Sequence, residues 1–562
     1  MTQIAVRALE FHNNRMWNWK SVEAALDVMP QLGLNTLVFH QNDIIDHLVL
    51  PKAYFDEDLM WARWPIRLCW MDMNRTYIDQ VIRKARSLDI DFYFQVKEIW
   101  YPESLLELYP ELMTPAGCVC PNDPFWFEFL KVKLAELLDV FPGIAGIIAS
   151  PATRETKISI STNPCECDRC RATDPRDWYR NYLQTFHNAL AARGKTFVVR
   201  DFSYSADQQH FLIEAAAECS KDIVIALKNV PQDFWPTFPD NPKIGQTNGL
   251  TQWMEYDVWG QYCGLGVFPV SLVEDIRHRL DYSRERGVTG VIYRTDWELL
   301  NESSVFNSFN MLNLVAGALL AKDPGTPLEY IYQTWTDYGL FSSLTAESCT
   351  AKPVVPTSPD AVTKLMNFMK ASWAVMEKTS YVRGHVFQYN SQFEHSMAAI
   401  HKVMLDYHGR EKWEPGSSQT IQPTDENLEI IFEEKRAAVE EVERLESILQ
   451  PETLGLPDKF TEDIRTMLNL YGYYVRGFDA SARAYFLARK AAATGSGEDV
   501  GNARAALEQL ELFCRNLEER LLGTFYPPYV CWMMDPKQLR SLKLDIAAEL
   551  DSCTPKPPSL IL

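Results

Sequence analysis

Eight apolar runs up to Asp296 each end on side chains that ionise or hydrogen-bond. In chain order the ends carry His12, Asn13 and Asn14; His40 and Asp43; Lys97 and Glu98; Arg154 and Glu155; Arg200 and Asp201; Lys228 and Asp233; Glu255 and Asp257; and Arg294 and Asp296. Aromatic residues are interleaved with them, including Trp100, Tyr101, Phe202, Phe234, Trp253 and Trp297. Such a set suits a polyhydroxylated ligand, whose hydroxyl edges take paired polar contacts and whose C–H faces lie on aromatic rings. Any one of these charges is as readily explained by a salt bridge. Their repetition over eight runs argues for a shared site.

Cleaving a glycosidic bond needs one protonated carboxyl near the leaving oxygen and one carboxylate that attacks or activates water. Glu155 follows the apolar run IAGIIAS, and partial desolvation there would raise its pKa towards acid duty. The neighbouring cations Arg154 and Lys157 push the other way. Asp233 sits among Asn229, Gln232 and Phe234 after Lys228, a setting that keeps a carboxylate ionised.

Bringing these groups together requires a fold that gathers eight strand ends at one rim. Residues 221–264 show the repeating unit: the β-branched run Ile223 to Leu227 delivers Lys228, and Asp233 follows in a Pro-bounded loop. That is the pattern of a buried parallel strand feeding a functional loop. Further strands are expected over 4–12, 35–40, 91–97, 144–150, 196–200, 250–258 and 288–294. Helices are expected over 22–31, 77–87, 125–140, 178–192, 212–219 and 272–286, with a long aromatic insertion (Tyr54, Trp61, Trp64, Trp70) before the second. The sum is an α/β fold, a (β/α)8 TIM barrel over 1–320. Beyond Ala321 strand signals give way to helical periodicity with charged faces, as in EIIFEEKRAAVEEVERLESILQ, so 321–562 is read as an α-helical domain. It contains no catalytic motif, and packing on the barrel or homo-oligomerisation is its expected task.

Composition narrows the partners. A chain of 562 residues with 46% hydrophobic and 23% charged residues has globular values and room for more than one domain. The net charge of −20 argues against nucleic acid or an anionic membrane as the main partner, and any anionic substrate must be caught by a local basic pocket. The first residues, MTQIAVRALEFHNN, lack a basic segment followed by an apolar one, and no run of about 18 apolar residues occurs. A cytoplasmic location without membrane contact is expected.

Twelve cysteines are too dilute for a disulfide scaffold. Cys69, Cys219, Cys349 and Cys514 lie singly in apolar surroundings and read as small buried hydrophobes. NPCECDRC carries Cys165, Cys167 and Cys170, and GCVCPND upstream carries Cys118 and Cys120. That spacing could ligate zinc or iron, but a closed site needs a fourth ligand from elsewhere, so a thiol cluster stapling loops is the reading and no metal or cofactor is assigned.

The stretch IALKNVPQDFWPTFPDNPKIGQTN resembles the strand and loop of glycoside hydrolase family 67, the α-glucuronidases, in which a KNGPxDF motif precedes a KTNxxxE segment. VVRDFSY resembles that family's strand ending in an Arg–aromatic pair, and IIASPATRE falls where the family places its general acid. The resemblance implies a carbohydrate substrate, with Glu155 as acid, Asp233 as a water-activating carboxylate, and Arg200 and Lys228 as cations that hold a sugar carboxylate. Arg154, Glu255, His12, Asn13, Lys97 and Arg294 complete the expected substrate-binding set. Two positions depart from the family. Its second water-side carboxylate aligns with Gln261, leaving Asp233 alone unless Glu255 or Asp257 substitutes, and a carboxylate-binding Lys falls on Pro151, where Arg154 would compensate. The family's N-terminal α/β domain has no counterpart before the barrel. The implied activity is exo-acting, inverting release of a terminal acidic sugar, glucuronate first. The alternatives are a sialic acid hydrolase, a hexosaminidase-like barrel, which would need an adjacent carboxylate pair, and a non-catalytic carbohydrate-binding protein.

Overall fold

The computed structural model describes residues 2–151, 155–163, 165–202, 206–338, 360–406 and 409–553. Eight strands close into a parallel barrel: β1 (Val6–Phe11), β2 (Thr36–His40), β3 (Asp91–Lys97), β4 (Gly146–Ser150), β5 (Thr196–Arg200), β6 (Val224–Lys228), β7 (Thr251–Asp257) and β8 (Gly290–Arg294). Each pairs with the next, and β8 pairs with β1 through registers such as Glu10 with Arg294. The (β/α)8 expectation is met. Because side chains alternate along a strand, one set points into the lumen and the other packs under the surrounding helices.

The lumen floor is a cluster of Ala8, Val38, Tyr93, Ile148, Val198, Val224, Ala226, Trp253 and Ile292. Tyr93 and Trp253 meet edge to face, ring centroids 5.8 Å apart, an arrangement that adds to their area burial. Glycine makes room for both. A Cβ at Gly146 would stand 2.6 Å from the Tyr93 ring, and one at Gly290 would stand 2.5 Å from Trp253.

The barrel helices match their expected positions, except over the aromatic insertion. The aromatic insertion folds as two helices, Glu57–Arg63 and Pro65–Arg86, the second starting on a proline, which suits the first helical turn. Cys69 on that helix is exposed and Cys219 only half-buried, so neither is the core thiol expected. Cys514 is buried, and Cys349 lies outside the described residues.

After β8 the chain is mostly helical, the longest helix being Asp458–Thr494. Within this region a two-stranded hairpin, Tyr381–Val382 with His385–Val386, follows helix Ala361–Ser380. Its turn places Arg383 and Gly384 at φ +50° and +79°, the left-handed geometry of tight hairpins. Buried Lys435 anchors it: Nζ donates to the carbonyls of Lys378, Thr379 and Tyr381, a cation on the exposed carbonyls of a helix C-terminus. The region packs on the β7 side of the barrel. Phe268 stacks on Tyr471 with centroids 4.8 Å apart, and Ser271 N–H donates to Ser372 Oγ at 2.8 Å. No helix among the described residues is long and apolar enough to cross a membrane.

Candidate active site

One step of the pleat above the apolar floor, two residues on in each strand, the lumen turns polar. Glu10, His40, Gln95, Ser150, Arg200, Lys228, Glu255 and Arg294 form this tier, one from each strand, and all are buried. The next step carries His12, Lys97, Phe202 and Asp257. A barrel concentrates chemistry at this C-terminal rim because the stiff strands aim what the loops surround.

Arg200 is fully buried against Glu255: Nε donates to both carboxylate oxygens at 2.8 and 2.9 Å, and Nη2 lies 2.7 Å from Oε1. Burial opposes the Arg200 charge, but Glu255 more than offsets it and holds the pKa above the usual arginine range. Nη1 of Arg200 is buried with no hydrogen-bond partner among the described residues. Across the lumen, Glu10 Oε1 lies 2.8 Å from His40 Nδ1, and Gln95 Nε2 is 3.0 Å from the same nitrogen. Burial raises the Glu10 pKa against the pull of Arg200, Arg294 and Lys97. His12 stacks on His40 with centroids 3.6 Å apart. Burial and the surrounding cations push both imidazoles well below their ordinary pKa, so they are neutral at neutral pH.

Four cations converge at this level, Arg200, Lys228 and Arg294 from the tier and Lys97 from the step above. Lys97, Arg200 and Lys228 lie 5.4, 5.4 and 4.5 Å from the centre of the Phe202 ring, and Lys228 and Arg294 lie 5.0 and 5.7 Å from that of Phe234. Ring faces are favourable ground for cations, and mutual repulsion is part of the balance. Burial, with Arg200, Arg294 and Lys228 nearby, brings the Lys97 pKa down to about 7, against the opposing pull of Glu298.

The two expected catalytic carboxylates occupy different surroundings. Asp233 is buried, with φ +47°. Its Oδ1 accepts from Lys228 Nζ at 3.1 Å and its Oδ2 from Tyr389 OH at 3.2 Å. Glu155 stands at the open rim with its side chain 47% exposed, its carboxylate in contact with Lys97 Nζ. The cation in contact with Glu155 is thus Lys97. Lys157 instead reaches the Tyr101 carbonyl and Glu103. Arg154 lies outside the described residues.

Other expectations change role. The Asn13 amide is committed to backbone: Oδ1 accepts from Arg15 N, and Nδ2 donates to the carbonyls of Leu300 and Ser303, which shapes the β1 loop. Glu255, fully buried behind Arg200, anchors that cation. Asp257 cannot stand in for the carboxylate missing at Gln261, because its oxygens accept the backbone N–H groups of Trp259, Gly260 and Gln261. Gln261 itself accepts from Arg294 Nη1 at 2.7 Å and donates to Asn390. His12 remains at the mouth, its Nδ1 3.3 Å from Glu298.

Sequence reasoning missed Glu10, Gln95 and Ser150, although each lies two residues after a floor residue. It also missed Tyr389, Asn390 and Trp413, the last 3.5 Å from Gln232 Oε1, all contributed by the region after the barrel. On the Glu155 side a groove of about 570 Å³ is lined by Trp70, Trp100 and Tyr101 together with Asp43, Arg67 and Glu103.

Among the described residues, Glu10, His12 and His40 bring ligand atoms within 4.8 Å of one another. Lys97, Arg200 and Arg294 surround them with positive charge, which disfavours a metal ion there. The cluster is better read as a hydrogen-bonded support for the site.

No family model matches this chain, and no curated protein sequence does. Solved structures do. A family 138 glycoside hydrolase targeting pectin rhamnogalacturonan II aligns at 12% identity over 98% of this chain and 68% of its own, with a TM-score of 0.64. The Thermobaculum terrenum O-GlcNAc hydrolase aligns at 12% identity over 98% and 94%, TM-score 0.45. A β-N-acetylhexosaminidase from Bacteroides fragilis aligns at 15% identity over 58% and 67%, TM-score 0.39. The likeness is one of fold, carried by the first and spanning barrel and helical region together, and it does not single out family 67.

Proposed function

We propose that this protein is an exo-acting glycoside hydrolase that releases a terminal sugar bearing a carboxylate, with glucuronate the first candidate. The observation that carries this reading is the convergence of Lys97, Arg200, Lys228 and Arg294 at the mouth of a barrel in a chain of net charge −20. Each of the four has a carboxylate beside it, Glu155, Glu255, Asp233 and Glu298 in turn, yet so close a set of cations offers an anion a local foothold in an otherwise acidic protein. Arg200 Nη1 is the free donor for it, held in place by the bonds of Nε and Nη2 to Glu255. The family 67 motif resemblance leads to the same substrate class, and the fold likeness to a pectin-targeting enzyme is compatible with it.

In this reading Glu155 donates the proton to the leaving oxygen. It is open to solvent on the side of the groove lined by Lys157, where Trp70, Trp100 and Tyr101 would carry the leaving sugar. Asp233 is oriented by Lys228 and Tyr389, and the Lys228 contact favours its ionised form, as a base that takes a proton from water requires. Water attacking from the Asp233 side inverts the anomeric centre.

The test is a panel of aryl α- and β-glycosides containing glucuronides, sialosides, N-acetylhexosaminides and the neutral parent sugars. A uronide should be turned over with kcat/KM at least tenfold above its neutral parent, and NMR should show the inverted anomer first. Preference for an N-acetylhexosaminide, or binding of sugars without hydrolysis, would replace this reading with one of its alternatives.

A further inference from the structure

On the two connections that flank β4, four thiols meet. The Sγ atoms of Cys120, Cys165, Cys167 and Cys170 all lie within 4.8 Å of one another, with Cys120 3.7 Å from Cys167 and 3.6 Å from Cys170. All four are free cysteines. Sulfurs joined covalently would be about 2.05 Å apart. Sulfurs placed tetrahedrally at about 2.3 Å from one zinc ion stand about 3.8 Å from each other, close to the two separations seen. We propose that Cys120, Cys165, Cys167 and Cys170 bind a single zinc ion as a closed, structural tetrahedral site.

The surroundings are those of a thiolate site. Cys170 N–H donates to Cys167 Sγ at 3.4 Å, and Asn122 Nδ2 donates to Cys170 Sγ at 3.3 Å. Donors to sulfur favour the deprotonated ligand and fix its direction. Cys120 is aimed by its backbone. The buried indoles of Trp126 and Trp178 donate to the carbonyls of Cys120 and Pro121 at 3.0 and 2.9 Å. Cys118, two residues earlier, does not join; its sulfur lies 3.2 Å from Thr114 Oγ1. Four sulfurs complete a zinc shell and leave no position for substrate or water, so the site is structural. The fourth ligand that NPCECDRC lacks is Cys120.

The ion would tie the β3–β4 connection to the β4–β5 connection, which carries Glu155. A backbone bridge joins the same two connections, Ile158 N donating to Ile99 O at 3.1 Å. Zinc therefore fixes the far end of the loop that presents Glu155.

The experiment is metal analysis of the full chain, purified without chelator from zinc-supplemented cells, beside Cys120→Ser and Cys167→Ser. Wild type should carry one zinc per chain and each variant less than a fifth of that. Should the variants not fold, the intact protein still decides. With the chelator added under native conditions, four thiols should become reactive to a disulfide reagent as zinc leaves, and cobalt loaded in its place should show the visible absorption of a tetrahedral thiolate complex. The proposal is overturned by a metal-free chain that takes up neither ion, by stoichiometric iron in place of zinc, by disulfides among these four residues in a non-reducing peptide map, or by full zinc retention in both variants.

Discussion

The two sides of the barrel mouth are built to opposite specifications. Around β6 to β8, Asp233, Asp257, Gln261 and Arg294 are each at most 5% exposed. Residues from the region after the barrel cover them, through Tyr389 on Asp233, Asn390 on Gln261 and Ser391 Oγ on the Gly264 N–H. Around β3 and β4, Glu155 is open to solvent, and the adjoining groove has an aromatic wall. The closed side can hold a charge in a fixed direction without water competing for it, as an attacking arrangement requires. The open side would give a leaving sugar of the proposed reaction a way out, and there the Glu155 carboxylate meets buried Lys97. The proposed reaction would ask for confinement at one carboxylate and access at the other.

The comparison breaks most sharply at Glu155. Glu155→Gln keeps the shape and removes the proton, and its rate on substrates with poor leaving groups should fall by about 10²–10⁴. An activated aryl leaving group should recover most of that loss. Equal rates for wild type and variant on the poor leaving group would remove Glu155 from the acid role.

On the closed side the largest effect expected is on stability. Arg200→Met leaves the Glu255 carboxylate fully buried without its cation, a defect that costs about 3–5 kcal/mol in comparable pairs, readable as a lower urea midpoint. Arg200→Met combined with Glu255→Leu should recover much of that stability while still failing to prefer a carboxylate sugar. A single variant that unfolds with the wild-type midpoint would mean that the pair contributes nothing to the fold.

The smallest effect sharpens the contrast. Tyr389→Phe removes one hydrogen bond from Asp233 and little volume, an exchange of about 0.5–1.5 kcal/mol. Turnover should fall severalfold while KM is nearly unchanged, because the hydroxyl orients the carboxylate and does not reach the sugar. A pure KM effect would place Tyr389 on the substrate instead.

The barrel was legible because its signals are local. β3 at Asp91–Lys97, β5 at Thr196–Arg200 and the helix Phe125–Val140 coincide with their apolar runs, which burial on both faces makes continuous. The site was legible only in part. Reading polar residues after each run found Lys228 and Arg200 but passed over Glu10 and Gln95, which lie inside the strands where a charge in an apolar run looks like an interruption. The pleat shows them to be the same tier. The partners that Asp233 and Gln261 find beyond the barrel were not legible at all, since Tyr389 and Asn390 meet them across 156 and 129 residues of chain, and no local pattern encodes such a meeting. The four thiols sat between these cases: the spacing marked three, and only the fold brought in Cys120.

The reach of Tyr389 also sets an order of events during synthesis. β8 supplies the last pairing of the barrel and ends at Arg294, whereas Tyr389 emerges from the ribosome 95 residues later. At roughly 5–20 residues per second that is an interval of roughly 5–20 s. During it a nascent chain can own a closed barrel whose Asp233 has its lysine but not its tyrosine. Maturation of the mouth thus follows closure of the barrel, and folding of the hairpin that leads to Tyr389 is the step that brings the newborn site to its finished form.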